Sequence, residues 1–197
     1  MPSSAAPSAS TRNLLRRFRR NRNASAAVEF ALVAPVFFGL LFAIIETSII
    51  FFADQVLETI TQDSARLIGT GQAQTGQVMI NGVAACAAAP CTKAEFQTYV
   101  CSRVPALLFT CPAGVNGIFI DVQSYPAFTN ININNQIAAG TFLNNMQYST
   151  GGPTDIVVVR LFYQWPQYVT GLGYNITNLT GNLRLLVATA VLKNEPY

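Results

Sequence analysis

Residues 25–45, SAAVEFALVAPVFFGLLFAII, decide how this chain is organised, because they carry one charge, Glu29, at the start of an otherwise apolar run. The uncharged part, residues 30–45, is 16 residues long, or roughly 24 Å as a helix, against a hydrocarbon core of about 30 Å. Apolar residues continue past Glu46 to residue 53. We therefore predict that a helix from about residue 26 to residue 52 crosses a membrane.

Positive charge flanks this helix on its N-terminal side. Six arginines lie between Arg12 and Arg22. Because basic flanks resist translocation, we predict a cytoplasmic N-terminus and an external C-terminal part. A cleaved signal peptide is the alternative, and it is disfavoured because Glu29 lies where such a peptide has no charge and no small-x-small cleavage site follows the run.

The charge balance of the chain excludes several classes of function. All nine acidic residues follow the arginine-rich segment, so the overall charge of +3 hides a remainder of −3. This asymmetry indicates membrane topology and gives no support for a nucleic-acid partner. The chain has no histidine, which removes Ser-His-Asp and Cys-His catalysis and histidine-ligated zinc. With scattered acids and no phosphate-binding glycine loop, we predict no enzyme, no cofactor and no metal site.

The beginning of the apolar run resembles the processing site of type IV prepilins, specifically the TadE-like pseudopilins of tight-adherence (Flp) pilus systems. In that family a basic leader ends in a small residue, usually glycine, and the mature chain has glutamate fifth and an aromatic residue sixth. Counting back from Glu29 and Phe30 places the processing site between Ala24 and Ser25. Alanine thus stands where the family usually has glycine.

Three segments carry this resemblance. They are AVEFALVAP at residues 27–35, QDSARLIGTG at residues 62–71, and ATAVLKNEPY at residues 188–197, in which NEP resembles a recurring family ending. The matches cover both ends of the chain and leave the middle without one. AVEFA alone is short, but a basic leader, one membrane helix and the NEP ending make the combination specific.

The resemblance implies a minor pilin or pseudopilin that takes part in assembly of a type IV pilus used in cell adhesion. It would be a single-pass protein of the bacterial inner membrane, with a cytoplasmic N-terminus and a periplasmic C-terminal domain. The implied partners are a prepilin peptidase, the major Flp-type pilin, other pseudopilins and the inner-membrane assembly platform, besides the lipid bilayer.

The resemblance also assigns roles to residues at the helix start. Once the leader is removed, the amine of Ser25 would pair with a carboxylate such as Glu29 of an adjacent subunit, beside Phe30. The alternative function is an unprocessed single-pass envelope anchor whose periplasmic domain has a structural or binding role.

Four cysteines, Cys86, Cys91, Cys101 and Cys111, fall on the predicted periplasmic side, where disulfides form. Four cysteines allow three pairings. We favour the local pairs, 86 with 91 and 101 with 111, because the second pair would tie the end of a helix to the loop before the first long strand. A four-cysteine zinc site is the alternative, and it lacks the close C-x-x-C pair typical of such sites.

The predicted fold class is α+β, with three parts. Residues 1–24 form a basic leader, residues 25–68 a transmembrane and then amphipathic helix containing Pro35, and residues 69–197 a periplasmic domain. In the lower half of the helix, apolar residues recur at helical spacing and should face the domain: Val56, Leu57, Ile60, Leu67 and Ile68.

Within the domain, one helix and three antiparallel strands are predicted. Thr92 and Glu95 form a capping-box pattern, so a helix should begin near Lys93 and end before Pro105. The strands are predicted at residues 117–123, 155–165 and 182–192. Residues 69–77 are predicted to be a flexible connection and residues 125–153 a polar surface loop.

Overall fold

The computed structural model describes residues 22–111, 117–169 and 174–197. Most of the predicted leader lies outside these ranges. The chain divides into two compact units, residues 1–45 and 46–197. The principal elements are α1 (Arg22–Gly69), α2 (Lys93–Arg103), β3 (Ile118–Tyr125), β6 (Ile156–Pro166) and β7 (Leu183–Lys193), and the two short hairpins are β1 (Met79–Ile80) with β2 (Val83–Ala84) and β4 (Ile137–Ala138) with β5 (Thr141–Phe142). Their combination confirms the α+β class.

Helix α1 begins three residues before the predicted start and ends one residue after the predicted end. Pro35 lies inside this helix without interrupting it, although proline has no amide hydrogen to donate to the carbonyl of Ala31. Gly69 is the last helical residue, and Gly71 just beyond it has φ of 77°. Glycine adopts this left-handed conformation at little cost, which suits the end of a helix.

From Glu46 onward, one face of α1 is buried in the domain. The fully or nearly fully buried apolar positions are Ile50, Ala53, Leu57, Ile60, Ala65 and Ile68. Their spacing of three to five residues keeps them on one side of the helix. Val56 and Leu67, which the sequence placed on the same face, are partly buried and pack against this core. Burial of the four larger side chains, Ile50, Leu57, Ile60 and Ile68, contributes roughly 1.5–3 kcal/mol each.

The main sheet has the order β3-β6-β7, with both pairs antiparallel. The three predicted strands are therefore present, and each begins one residue later than predicted. The central strand β6 is buried along nearly its whole length. Because side chains alternate between the two faces of a strand, both faces of β6 must be covered.

One face of the sheet belongs to the main apolar core. Val157, Val159 and Leu161 of β6 are buried there together with Leu57 of α1 and Phe96 of α2. Helix α2 is held in place by the predicted capping box, because Thr92 accepts a hydrogen bond from the Glu95 amide while the Glu95 carboxylate accepts from the Thr92 amide. The sequence signal for α2 is thus confirmed at its N-terminus.

The opposite face of the sheet carries a buried ion pair. Asp121 and Arg160 are register partners on β3 and β6 and are 1% and 3% exposed. Arg160 donates from Nη2 and Nε to Oδ2 of Asp121, at 2.7 and 3.1 Å, and from Nη1 to the carbonyl of Asn134 at 3.0 Å. The other carboxylate oxygen accepts the Gln147 amide at 2.7 Å. The pair therefore fixes two points of the segment between β3 and β6.

Two segments are more ordered than the sequence predicted. Within the predicted connection 69–77, residues 70–76 form successive turns, in which Ala73 is fully buried and Gln74 donates to the carbonyls of Ile68 and Thr150. Residues 125–153, predicted as a polar surface loop, contain a 3-10 turn, Phe128–Asn130, and the β4–β5 hairpin. The first of these segments is held by contacts with residues distant in sequence, whereas residues 125–153 lie largely at the surface, as predicted.

Replacement of Asp121 with Asn should lower the free energy of unfolding by about 3 kcal/mol or more, because it leaves the buried Arg160 guanidinium without its charged partner. The matched control is Asp63→Asn, which breaks the half-exposed Asp63–Arg103 pair and should cost less than about 1 kcal/mol. Urea unfolding of the full chain in detergent, followed by fluorescence of the buried Trp165, measures both. Equal effects of the two substitutions would contradict the role given to Asp121.

Candidate functional site

The predicted processing site, the bond between Ala24 and Ser25, lies within α1, close to Arg22, the first residue that the structure describes.

Beyond this bond, α1 exposes apolar side chains on all sides up to residue 45. Phe30 is 67% exposed, and Glu29, beside it, is also exposed. The other large apolar residues exposed in this unit are Val28, Leu32, Val33, Val36, Phe37, Phe38, Leu40, Leu41, Phe42, Ile44 and Ile45. Helix α1 is long and apolar enough to cross a membrane, and its most apolar stretch is not buried by the rest of the protein. An exposed apolar surface of this extent is typical of a segment that contacts a membrane or another protein.

Glu29 is the one charged residue between Arg22 and Glu46. A carboxylate at membrane depth costs about 2.5–3.5 kcal/mol on insertion scales. An apolar side chain at this position would avoid that cost and would pack equally well.

The second carboxylate of the apolar region, Glu46, has a structural explanation that the sequence did not reveal. It is 6% exposed, and its two oxygens accept the backbone amides of Tyr168 and Val169 at 2.6 and 3.0 Å. The hydroxyl of the neighbouring Thr47 forms a hydrogen bond with the hydroxyl of Tyr174. Hydrogen bonds to an ionised acceptor are stronger than neutral ones. Glu46 thus ties the segment after β6 to the beginning of the domain's part of α1.

Replacement of Glu46 with Ala should speed hydrogen exchange at the Tyr168 and Val169 amides by at least tenfold, because both donors lose their acceptor. Glu58→Ala, which removes an exposed carboxylate from the same helix, is the control and should leave these amides unchanged. Exchange measured by NMR on the full chain in nanodiscs distinguishes the two. Unaltered protection in Glu46→Ala would show that other contacts hold this segment.

The four cysteines form two disulfides in the structure, Cys86–Cys91 and Cys101–Cys111, with Cα atoms 5.2 and 5.7 Å apart. Cys101 lies near the end of α2, and Cys111 precedes β3, so this bridge joins the helix to the chain that leads into the sheet. Since all four sulfurs are used in disulfides, this arrangement holds no cysteine zinc site.

Glu95 extends the α2 cap to the first disulfide loop. Its Oε1 accepts the Ala87 amide at 2.7 Å, and its Oε2 accepts the Thr92 amide at 2.8 Å. These hydrogen bonds, that from Ala87 first, hold the pKa of the Glu95 carboxyl below its usual value. The associated stabilisation is present above the ordinary carboxyl pKa and is lost as the pH falls through the lowered one.

The two acids near the strands serve different structural contacts. Asp121 is bound by Arg160, as described above, whereas Asp155 accepts the Gly152 amide at 2.8 Å. Among the described residues, no group of three or more histidines, cysteines or acids is placed to hold a metal.

Comparison with known families agrees with the resemblance seen at the helix. Residues 24–66 match the model of the TadE-like protein family, which confirms the resemblance inferred from the sequence. The match begins at Ala24, contains Glu29 and Phe30, and ends three residues before the end of α1. No curated protein and no solved structure matches the chain significantly. The match supports a pilin-like protein associated with the tight-adherence pilus.

Proposed function

We propose that this chain, whose residues 24–66 match the TadE-like family, is a minor pilin or pseudopilin that takes part in assembly of a tight-adherence pilus. The observation that carries the proposal is the surface of α1, where apolar side chains are exposed around one carboxylate, Glu29. A helix of this kind is suited to packing among similar helices, first in the bilayer and then in a fibre.

The chain would be anchored in the bacterial inner membrane by α1, with residues 46–197 in the periplasm. Two features support this orientation. The six arginines before residue 23 lie on one side of the apolar segment. The disulfides lie on the other side, and such bonds persist in the oxidising periplasm.

Processing would convert the helix start into a pairing site. A prepilin peptidase would cut between Ala24 and Ser25 and leave a positively charged amine in lipid. Ser25 and Glu29 are four residues apart, or roughly 6 Å along the helix. A neighbouring pilin displaced by that distance would bring its carboxylate level with this amine, which would reduce the cost of both charges and set the axial register.

The remaining proposed partners follow from the same role. The neighbouring subunits would be the major Flp-type pilin and other pseudopilins, and the inner-membrane assembly platform would draw the chain from the bilayer. The second candidate is an unprocessed single-pass envelope anchor. Alanine at position 24, where the family usually has glycine, is the observation that favours it.

Processing separates the two candidates. In cells with an active prepilin peptidase, the membrane-extracted chain should begin at Ser25, as measured by N-terminal mass spectrometry. Ala24→Gly should speed the cleavage and Ala24→Leu should block it, whereas Ala26→Leu is the matched control two residues away. A chain that begins at Met1 in both the presence and the absence of the peptidase would establish the anchor instead.

The pairing role of Glu29 predicts a separate phenotype. Glu29→Gln should leave membrane insertion and cleavage intact but abolish pili, counted by electron microscopy, because the amine of a neighbouring subunit loses its countercharge. Glu58→Gln, an exposed position in the domain's part of α1, should leave pili unchanged. Normal piliation in the Glu29→Gln strain would sink the pairing model.

A further inference from the structure

The exposed side of α1 changes from apolar to polar within the unit formed by residues 46–197. Ile49, Phe51 and Phe52 are large apolar residues that remain exposed there. The next exposed positions along the helix are polar, and they are Gln55, Glu58, Thr59 and Gln62. Such a change marks the level at which the surface of a helix passes from an apolar environment into water.

Counting along the helix relates this level to Glu46. Phe52 lies six residues after Glu46, or roughly 9 Å along the axis. The polar layer on each side of a bilayer is roughly 5–7 Å thick, and the hydrocarbon core is about 30 Å thick. If the headgroups end just beyond Phe52, Glu46 lies at the edge of the hydrocarbon. A span of about 20 residues before Glu46 reaches Ala26, next to the start of the apolar run, so both ends fit.

The segment after β6 lies at the level of Glu46. The backbone amides of Tyr168 and Val169 donate to the two carboxylate oxygens of Glu46 at 2.6 and 3.0 Å. These distances place the backbone of both residues beside the first residue of the domain's part of α1. The segment is therefore roughly 9 Å nearer to the apolar run than Phe52 is.

The backbone of this segment is hydrogen-bonded within the protein. Besides the two amides bound by Glu46, the Val169 carbonyl accepts a hydrogen bond from Nε2 of Gln167 at 2.8 Å. The Gln167 amide donates to the carbonyl of Asn182, also at 2.8 Å. Backbone groups at membrane depth need partners of this kind, because lipid tails offer none. The hydrogen bonding of the segment is thus suited to an environment that is poor in water.

The side chains have the same preference. Tyr168 is 79% exposed, and tyrosine is enriched at the membrane–water interface, where its ring contacts lipid and its hydroxyl contacts water. Residues 46–52 and 166–169 carry no charged side chain besides Glu46. The Glu46 side chain is buried, and both of its oxygens have donors. Its charge is therefore compensated without water.

We propose that the segment after β6 is embedded in the membrane interface together with residues 46–52 of α1. Tyr168 lies among the lipid headgroups, and Phe51 and Phe52 contact the lipid around the helix. The bilayer is the partner of this surface, because the surface continues the apolar run 30–45 and ends where exposed polar residues begin. The inference rests on the proposed anchoring of the chain by α1, and it adds a second point of contact with lipid, far from α1 in sequence.

Fluorescence quenching by brominated lipid tests the proposal, because bromine quenches a tryptophan only on close approach. Trp165→Phe removes the one tryptophan of the full chain, and each variant then receives a single new one, by Tyr168→Trp, Phe52→Trp or Phe128→Trp. The variants are reconstituted in vesicles of phosphatidylethanolamine and phosphatidylglycerol, with and without bromine on the upper part of the acyl chains. Circular dichroism checks that each variant is folded.

Tyr168→Trp and Phe52→Trp should each lose about half of their emission in brominated vesicles, because rings at the interface lie next to the upper acyl chains. Phe128→Trp is the matched control and should keep nearly all of its emission. Phe128 is also an exposed aromatic residue, but it follows the end of β3 that pairs with the beginning of β6. Tyr168 follows the other end of β6, whose 11 residues are roughly 35 Å long.

Phe42→Trp, within the apolar run, reports the anchoring by itself and should also be quenched. Quenching of Phe42→Trp without quenching of Tyr168→Trp would overturn the inference and leave the anchor intact. Equal quenching of Phe128→Trp and Tyr168→Trp would overturn it as well, since lipid would then contact both ends of the sheet. An unquenched Phe42→Trp would remove the anchor and the inference with it.

A second measurement needs no substitution. In nanodiscs that contain the native chain, a lipid with a spin label on its upper acyl chain should broaden the amide signals of Tyr168 and Val169. The amide signals of Gly152 and Asn194, which lie near the opposite end of the sheet, should stay sharp. Equal broadening of all four signals, or broadening of none, would overturn the inference.

Discussion

Helix α1 has to satisfy two different environments along one continuous backbone. Up to residue 45 its apolar side chains are exposed, and from Glu46 a stripe of them is buried by the domain. This burial is one-sided, because Ile50 and Ala53 are buried while Phe51 and Phe52 remain 69% and 61% exposed. Glu46 lies where the buried stripe begins, and its carboxylate accepts hydrogen bonds from two backbone amides of the segment after β6. A carboxylate is tolerated there because the protein supplies its donors.

The domain also buries polar side chains on the face of its sheet that lies away from the main apolar core. Strand β6 alternates apolar residues of the main core with Arg160 and Gln164, which point to the other face and are nevertheless buried. Arg160 is neutralised by Asp121 and bonded to Asn134. Gln164 lines a cavity beside β3. The same strand thus holds one buried polar side chain in an ion pair and places another at the wall of a cavity.

The sequence predicted the elements whose signals are local. The apolar run predicted α1, Thr92 with Glu95 predicted α2, and alternating apolar residues predicted the three long strands. It could not predict the Asp121–Arg160 pair, because strand register brings together residues that are 39 positions apart. It gave no role to Glu46 for the same reason, since the donors come from Tyr168 and Val169. The cavity beside β3 was also beyond reach, because its wall assembles residues of α2, β3, β5, β6 and β7.

On the proposed function, the two parts of the chain would divide recognition between them. Apolar side chains packed in lipid distinguish poorly among neighbours of similar shape, because lipid tails solvate them about as well as a partner does. One charge in the apolar segment, Glu29, would fix axial register, but it would not by itself select one pilin over another that presents the same amine. Discrimination between partners needs contacts that a wrong partner leaves unsatisfied. The exposed apolar surface of α1 supplies no contact of that kind, so on this proposal selection between partners would rest on polar groups of residues 46–197.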